Sequence, residues 1–279
     1  MKYLIILILS AIQGATEFLP ISSSGHLVLF YRIFKIEDNQ ILLSVILHLA
    51  TLCSVLIYYR KELFSLLKKP FSKPTAYLFL STILTLIIAL LLMPVIENSF
   101  SGNYLPYFFM LTAIILFVSE NIKTKRSSIK NFNYKNSPYC KSNPNFFSSL
   151  PNLKQAIGMG IIQGFATFPG ISRSGSTIAT GLILGGEKEG IANYSFLMSI
   201  PIILGSLLLE IIKYLKEPSP LYFNFLELSF GFIIAVFVGL LCIKLMLKFV
   251  KSQKLTIFAF YLVILSLFLI INDKVLLWF

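Results

Sequence analysis

The segment Ile12–His26, IQGATEFLPISSSGH, returns without a gap as Ile162–Ser176, IQGFATFPGISRSGS, at a constant offset of 150, with eight of the fifteen positions identical. Two unrelated apolar segments rarely keep Gln, Gly and two Ser in register, so the chain reads as an internal duplication. Each copy lies in a longer unit, 1–34 and 153–186, made of an apolar stretch, a polar Gly/Pro/Ser-rich break and a second apolar stretch. A crossing helix needs about 20 apolar residues, and neither half of either unit supplies them. A helix that enters, breaks and returns fits better, and such a break is tolerated only where protein or a water-filled cavity surrounds it.

Composition sets the solvent. Of 279 residues 56% are hydrophobic and 13% charged, with 26 Phe and a mean hydropathy of +0.82. A soluble domain of this length needs a polar surface these residues cannot provide, so a multispanning membrane protein is expected. The net charge of +12 would suggest nucleic acid in a soluble chain, but here the cations flank apolar runs, as juxtamembrane charge does; no nucleic-acid partner is expected. Cys53, Cys140 and Cys242 cannot form a fully paired framework and show no zinc spacing. The apolar N-terminus lacks a small-residue cleavage site and is expected to be retained.

Six runs can cross a bilayer: Gln40–Tyr59, Ala76–Ile96, the short Tyr104–Ser119, Ile191–Ile212, Phe225–Leu247 and Leu255–Leu277. The expected fold is therefore an all-α polytopic membrane protein, six transmembrane helices plus two re-entrant helix-break-helix hairpins. It forms one membrane domain: repeat one at 1–119, a polar loop at 120–152, repeat two at 153–279. Each hairpin precedes three spans, and three is odd, so the second repeat must lie inverted. With both hairpins re-entrant, 16 of the 24 basic residues fall on one side and six, Arg32 among them, on the other. The positive-inside rule makes the 16 cytoplasmic and turns both termini outward. The two breaks then approach mid-membrane from opposite faces, as in transporters whose broken helices build the binding site.

Glu17 sits inside the first break, and an ionisable group at that depth marks a functional site by default. Arg173 is the one basic residue of the second break, and its planar guanidinium suits bidentate phosphate recognition. His26 closes the first break, three residues after Ser23. Serine, histidine and a carboxylate form a nucleophilic set if geometry unites them. Gln13 and Gln163 match across the repeats as neutral polar groups, whereas His48, in an unbroken span, reads as packed or hydrogen-bonded. Ser22, Ser24 and Gly25 in one break, and Ser172, Ser174, Gly175, Ser176 and Thr177 in the other, offer hydroxyls and backbone N–H groups for a phosphate at helix N-termini; capping alone would also explain the serines. The pocket suits an anionic, phosphate-bearing headgroup of a lipid-linked substrate.

QGATEFLPISSSGH and PGISRSGST resemble the two signatures of the undecaprenyl-pyrophosphate phosphatase family, the bacitracin-resistance type of bacterial membrane enzymes, and the resemblance runs from the first residues to the last span. It implies hydrolysis of undecaprenyl pyrophosphate to the monophosphate that carries cell-wall precursors. The family's (E/Q)xxxE element falls on Gln13 and Glu17, its serine and histidine on Ser23 and His26, its arginine on Arg173. Catalytic roles are implied for Glu17, Ser23, His26 and Arg173, and phosphate contacts for Gln13, Ser22, Ser24, Gly25, Ser172, Ser174, Gly175 and Thr177. The resemblance also implies a divalent cation, Mg²⁺ or Ca²⁺, on Glu17; a homodimer among membrane lipids; and an inner-membrane location with the site open to the periplasm. Many relatives carry Glu where this chain has Gln13, so a two-carboxylate metal site is not expected. A secondary transporter or lipid translocase for a phosphorylated substrate is the alternative, because inverted repeats with broken helices are a common transporter plan.

Overall fold

A computed structural model describes residues 2–36, 40–122, 150–216, 223–252 and 254–276, and among these it is helical with no strand. Most of the expected 120–152 loop, Cys140 included, lies outside the described residues. The helices are α1 Lys2–Thr16, α2 Ser23–Ile33, α3 Gln40–Tyr58, α4 Arg60–Leu67, α5 Lys73–Ser99 and α6 Leu105–Asn121. They continue as α7 Leu153–Phe165, α8 Arg173–Ile183, α9 Lys188–Lys216, α10 Phe225–Lys251 and α11 Thr256–Ile271, followed by a π turn over Asn272–Leu276. Helices α3, α5, α9 and α10, and α11 with its π turn, are long and apolar enough to cross a membrane, while α6 (17 residues) and α1 (15 residues) are shorter apolar helices. Outward-facing Phe79, Ile83, Leu86, Leu90 and Leu91 on α5 are what lipid contact calls for, since no water needs to be met there. The sequence did not separate α4 from its neighbours; it is a short, mean-polar helix carrying Arg60 and Lys61.

Both 1–34 and 153–186 form a helix, a break and a second helix, as expected. The matched serines start the second helix in each: Ser22 caps α2 by accepting from Gly25 N, and Ser172 caps α8 by accepting from Gly175 N. With α2 and α8 each eleven residues long, Ser23 and Arg173 hold the same first helical position in their copies.

The repeats interlock by exchange. Helix α1 packs chiefly on α10, the second long span of repeat two, and α7 packs on α5, the second long span of repeat one. The matched glycines allow this approach: a Cβ on Gly14 would lie 2.7 Å from Ala235 O of α10, and one on Gly164 would lie 3.1 Å from Thr85 O of α5. Small residues at such crossings let backbones close up where no hydrophobic effect between helices operates. Side chains reinforce the exchange, with Ser54 Oγ donating to Val236 O, Ser81 Oγ to Ala156 O and Thr85 Oγ1 to Gly160 O. Helix α6 packs on α11, and α3 on α9 and α10.

Candidate active site

The two breaks meet backbone to backbone in the middle of the structure. A Cβ on Gly25 would lie 2.9 Å from Gly170 Cα, and one on Gly175 would lie 3.0 Å from the Pro20 side chain. The two contacts are equivalents of one another, since Gly25 matches Gly175 and Pro20 matches Gly170 in the repeat. Gly170 N donates to Ser22 Oγ (3.0 Å), Ser174 Oγ donates to Leu19 O (3.1 Å), and Thr112 Oγ1 of α6 donates to Gly170 O (3.0 Å).

At this junction Glu17, Ser23, Gln13 and Arg173 come together. Glu17 is buried, and its Oε2 accepts from Ser23 Oγ at 2.6 Å and from Gln13 Nε2 at 3.0 Å. Its Oε1 takes the Arg173 Nη2, an ion pair from the second break to the first. Helical geometry explains the Gln13 contact, since i and i+4 share a face. The remaining capacity is specific: Arg173 Nη1 and Gln13 Oε1 are buried with no protein partner. A buried polar atom left unpaired costs about 1–3 kcal/mol, and here one free donor and one free acceptor flank a serine–carboxylate pair, which is bonding capacity that a polar ligand can take up.

His26 does not join Ser23. Its Nδ1 lies 2.8 Å from Ser22 O and its Nε2 2.7 Å from the Tyr261 hydroxyl of α11. A carbonyl oxygen only accepts, so Nδ1 carries the proton and Nε2 accepts from Tyr261. The His26 ring also stands edge-on to Phe109. The serine–histidine–carboxylate set is thus divided: Ser23 faces Glu17, and His26 faces Tyr261.

The expected phosphate cradle is largely occupied by internal bonds. The Ser22 and Ser172 hydroxyls receive Gly25 N and Gly175 N, Ser174 is bonded to Leu19 O, and Thr177 Oγ1 donates to Arg173 O and contacts Ser195 Oγ at 2.6 Å. Ser24 Oγ has only a long 3.5 Å contact to Ser22 Oγ. Gln163 Nε2 donates to Thr85 Oγ1 (3.1 Å), within the packing of α7 on α5. A cavity of about 340 Å³, lined in part by Arg32, Tyr107, Asp273 and Lys274, shares no residue with the Glu17 centre.

Two sets of residues were not read from the sequence as part of a site. Tyr261 lies in an unbroken apolar run with no local signal. Ser44, His48 and Glu210 form a second polar cluster: Ser44 Oγ donates to Glu210 Oε1 (2.9 Å), and His48 Nδ1 lies 3.0 Å from Ser44 Oγ. The hydrogen bonding of His48 accords with expectation. The i, i+4 spacing of Ser44 and His48 was the available clue, but nothing local pairs them with a residue 166 positions away.

A family profile described as "Bacitracin resistance protein BacA" matches residues 6–268. The chain belongs to that family. Its relatives agree over nearly their whole length. The protein named undecaprenyl-diphosphatase from Carboxydothermus hydrogenoformans is 34% identical over 267 residues, covering 95% of each chain. Proteins of the same name from Methanosphaera stadtmanae and Thermosipho africanus are 36% and 38% identical, covering 97% and 94% of this chain and 98% and 96% of their own. The BacA match takes in both breaks, so Glu17, Ser23, His26 and Arg173 all lie inside it.

Proposed function

We propose that this chain is an undecaprenyl-diphosphatase, hydrolysing undecaprenyl pyrophosphate to undecaprenyl phosphate and inorganic phosphate, with bacitracin resistance as the consequence its family name describes. One structural observation carries the reading: Arg173 pairs through Nη2 with the carboxylate that accepts from the Ser23 hydroxyl, and keeps a buried, unengaged Nη1. That is a nucleophile, its base and an anion-binding donor in one place.

Ser23 Oγ attacks the terminal phosphorus as its proton passes to Glu17 Oε2, 2.6 Å away. The new Oγ–P bond forms as the bridging P–O bond breaks, and undecaprenyl phosphate leaves. Water then cleaves the phosphoserine and releases inorganic phosphate. Arg173 Nη1 takes the charge developing on the equatorial phosphoryl oxygens, and the N-terminal ends of α2 and α8, which begin at Ser23 and Arg173, add the positive ends of their dipoles. Glu17 is the base for Ser23, because both nitrogens of His26 are engaged by Ser22 and Tyr261; His26 holds the turn of the first break.

The donors fit a divalent cation of the Mg²⁺ or Ca²⁺ type that arrives with substrate. Glu17, the unpartnered Gln13 Oε1 and Ser23 Oγ are hard oxygen ligands, which such ions take together with phosphate oxygens and water. Among the described residues no group of three or more His, Cys, Asp or Glu exists to hold a metal. When bound, the cation would offset pyrophosphate charge.

The charge distribution supports an inner-membrane location with the first break opening to the periplasmic side, and lipid access suits the exposed apolar helices. The family resemblance adds a homodimer, which crosslinking in native membranes would capture. The function is tested with detergent-purified protein and undecaprenyl pyrophosphate. Expected products are one inorganic phosphate and one undecaprenyl phosphate per turnover, and a Ser23→Ala variant that forms neither. Wild-type protein that releases no phosphate would refute the reading, and full activity in Ser23→Ala would refute the nucleophile.

A further inference from the structure

Hydrolysis of a pyrophosphate by water leaves a proton behind. Of the two that water brings, one stays on inorganic phosphate and the other must pass from the buried Glu17 carboxylate to solvent. This inference rests on the hydrolase reading above.

The Ser44–His48–Glu210 cluster has the connectivity such a proton needs. His48 Nδ1 lies 2.9 Å from Ser44 O, an acceptor, so Nδ1 carries the ring proton. The same N–H is 3.0 Å from Ser44 Oγ, and the Ser44 O–H donates to Glu210 Oε1 at 2.9 Å. Among the described residues no protein group takes His48 Nε2, which is left as the accepting nitrogen. Helix α3, which carries His48, packs on α1, the helix leading to Glu17.

The other end of the chain of bonds reaches outward. Ser44 is four residues into α3, about 6 Å along the axis from its start, and Glu210 is in the last two turns of α9. The Glu210 side chain is 30% exposed and that of His48 17%. Tyr31 of α2 has a buried hydroxyl with no partner among the described residues. A carboxylate and a histidine inside membrane helices are costly and mark proton paths in pumps and transporters.

We propose that His48, Ser44 and Glu210 form a proton relay from the reaction centre to the outer face. A proton accepted at His48 Nε2 is matched by transfer of the Nδ1 proton to Ser44 Oγ and of the Ser44 hydroxyl proton to Glu210 Oε1. Glu210 releases it to water; the Ser44 hydroxyl then turns back toward Glu210, and His48 regains its Nδ1 proton by tautomer exchange through water, which frees Nε2 and resets the chain. None of the three touches substrate; they act through the reaction centre.

The test is steady-state phosphate release from undecaprenyl pyrophosphate by detergent-purified wild type, His48→Ala, Glu210→Gln and Ser44→Ala. Proton transfer by a positioned side chain is worth about 10²–10⁴ in rate, and partial bypass through solvent reduces the expected loss in kcat to about tenfold, with KM unchanged. Added imidazole should restore His48→Ala and leave wild type unaffected, which a merely structural loss would not show. Ser44→Ala removes only a hydroxyl and keeps the test open if a bulkier change unfolds the protein. Wild-type turnover with unchanged kcat in all three variants, or a loss in His48→Ala that imidazole does not restore, overturns the relay alone. A wild type that releases no phosphate overturns the hydrolase reading and the relay with it.

Discussion

The two breaks share one backbone plan and differ in almost every reactive side chain. Ser22 and Ser172 cap equivalent helices, yet Glu17 faces Thr167 across the alignment, Ser23 faces Arg173, and His26 faces Ser176. Duplication supplied two capped helix N-termini; divergence placed Ser23 and Glu17, the nucleophile and base of the proposed mechanism, in the first break and Arg173, its proposed phosphate donor, in the second. Neither copy is a site alone. Within that plan the residue at positive φ differs. The second break turns at Gly170, with φ +99°, whereas its match is Pro20, whose ring fixes φ near −65°. The left-handed residue in the first break is therefore Ser22, at φ +69°. A serine in that region is strained, as residues at functional sites often are.

The comparison breaks first at the carboxylate. Glu17→Gln should lower kcat by about 10²–10⁴, the range for loss of a general base, while Thr167→Val at the matched position should leave turnover near wild type. Phosphate release by the two variants checks this, and equal losses would mean the copies contribute alike. His26→Gln should cost less, about tenfold, because it disturbs the hydrogen bonds to Ser22 and Tyr261 that orient the first break. Its counterpart Ser176→Ala removes a buried hydroxyl that has no partner and should leave the rate unchanged while raising the melting temperature, because an unpaired buried polar atom is lost. The turn residues differ in stability rather than in rate. Gly170→Ala would force a Cβ to 2.8 Å from the Phe108 side chain at a positive φ and should cost about 1–3 kcal/mol, whereas Pro20→Ala should be mild. Thermal unfolding in detergent distinguishes them.

What could be read from the sequence follows the same division. The hairpins, the long spans and the two motifs were legible because each is local: a run of apolar residues, a Gly/Pro/Ser break, a repeat in register. The encounter of Glu17 with Arg173 was inferable only as two isolated charges in an uncharged setting. The partition of Ser23 to Glu17 and His26 to Tyr261 was not legible, because it depends on how α11 packs against α6 and the first break. Ser44 and Glu210 stayed hidden for a similar reason: Glu210 lies near the end of a span, where a carboxylate would ordinarily face water. The hydroxyls of the expected phosphate cradle have a second use, since those that suit an anion also suit helix caps: Ser22 and Ser172 accept cap N–H bonds, and each keeps its own O–H to donate.

The central claim is that the second break contributes a guanidinium shared between Glu17 and substrate phosphate. Arg173→Lys isolates it, because an ammonium can keep the charge pair with Glu17 but cannot also present a second nitrogen in the same plane. The expected result is a fall in kcat/KM of about 10²–10³ for undecaprenyl pyrophosphate, the cost of one oxyanion donor, with an unchanged melting temperature. A lysine variant that hydrolyses substrate as efficiently as wild type would contradict the claim.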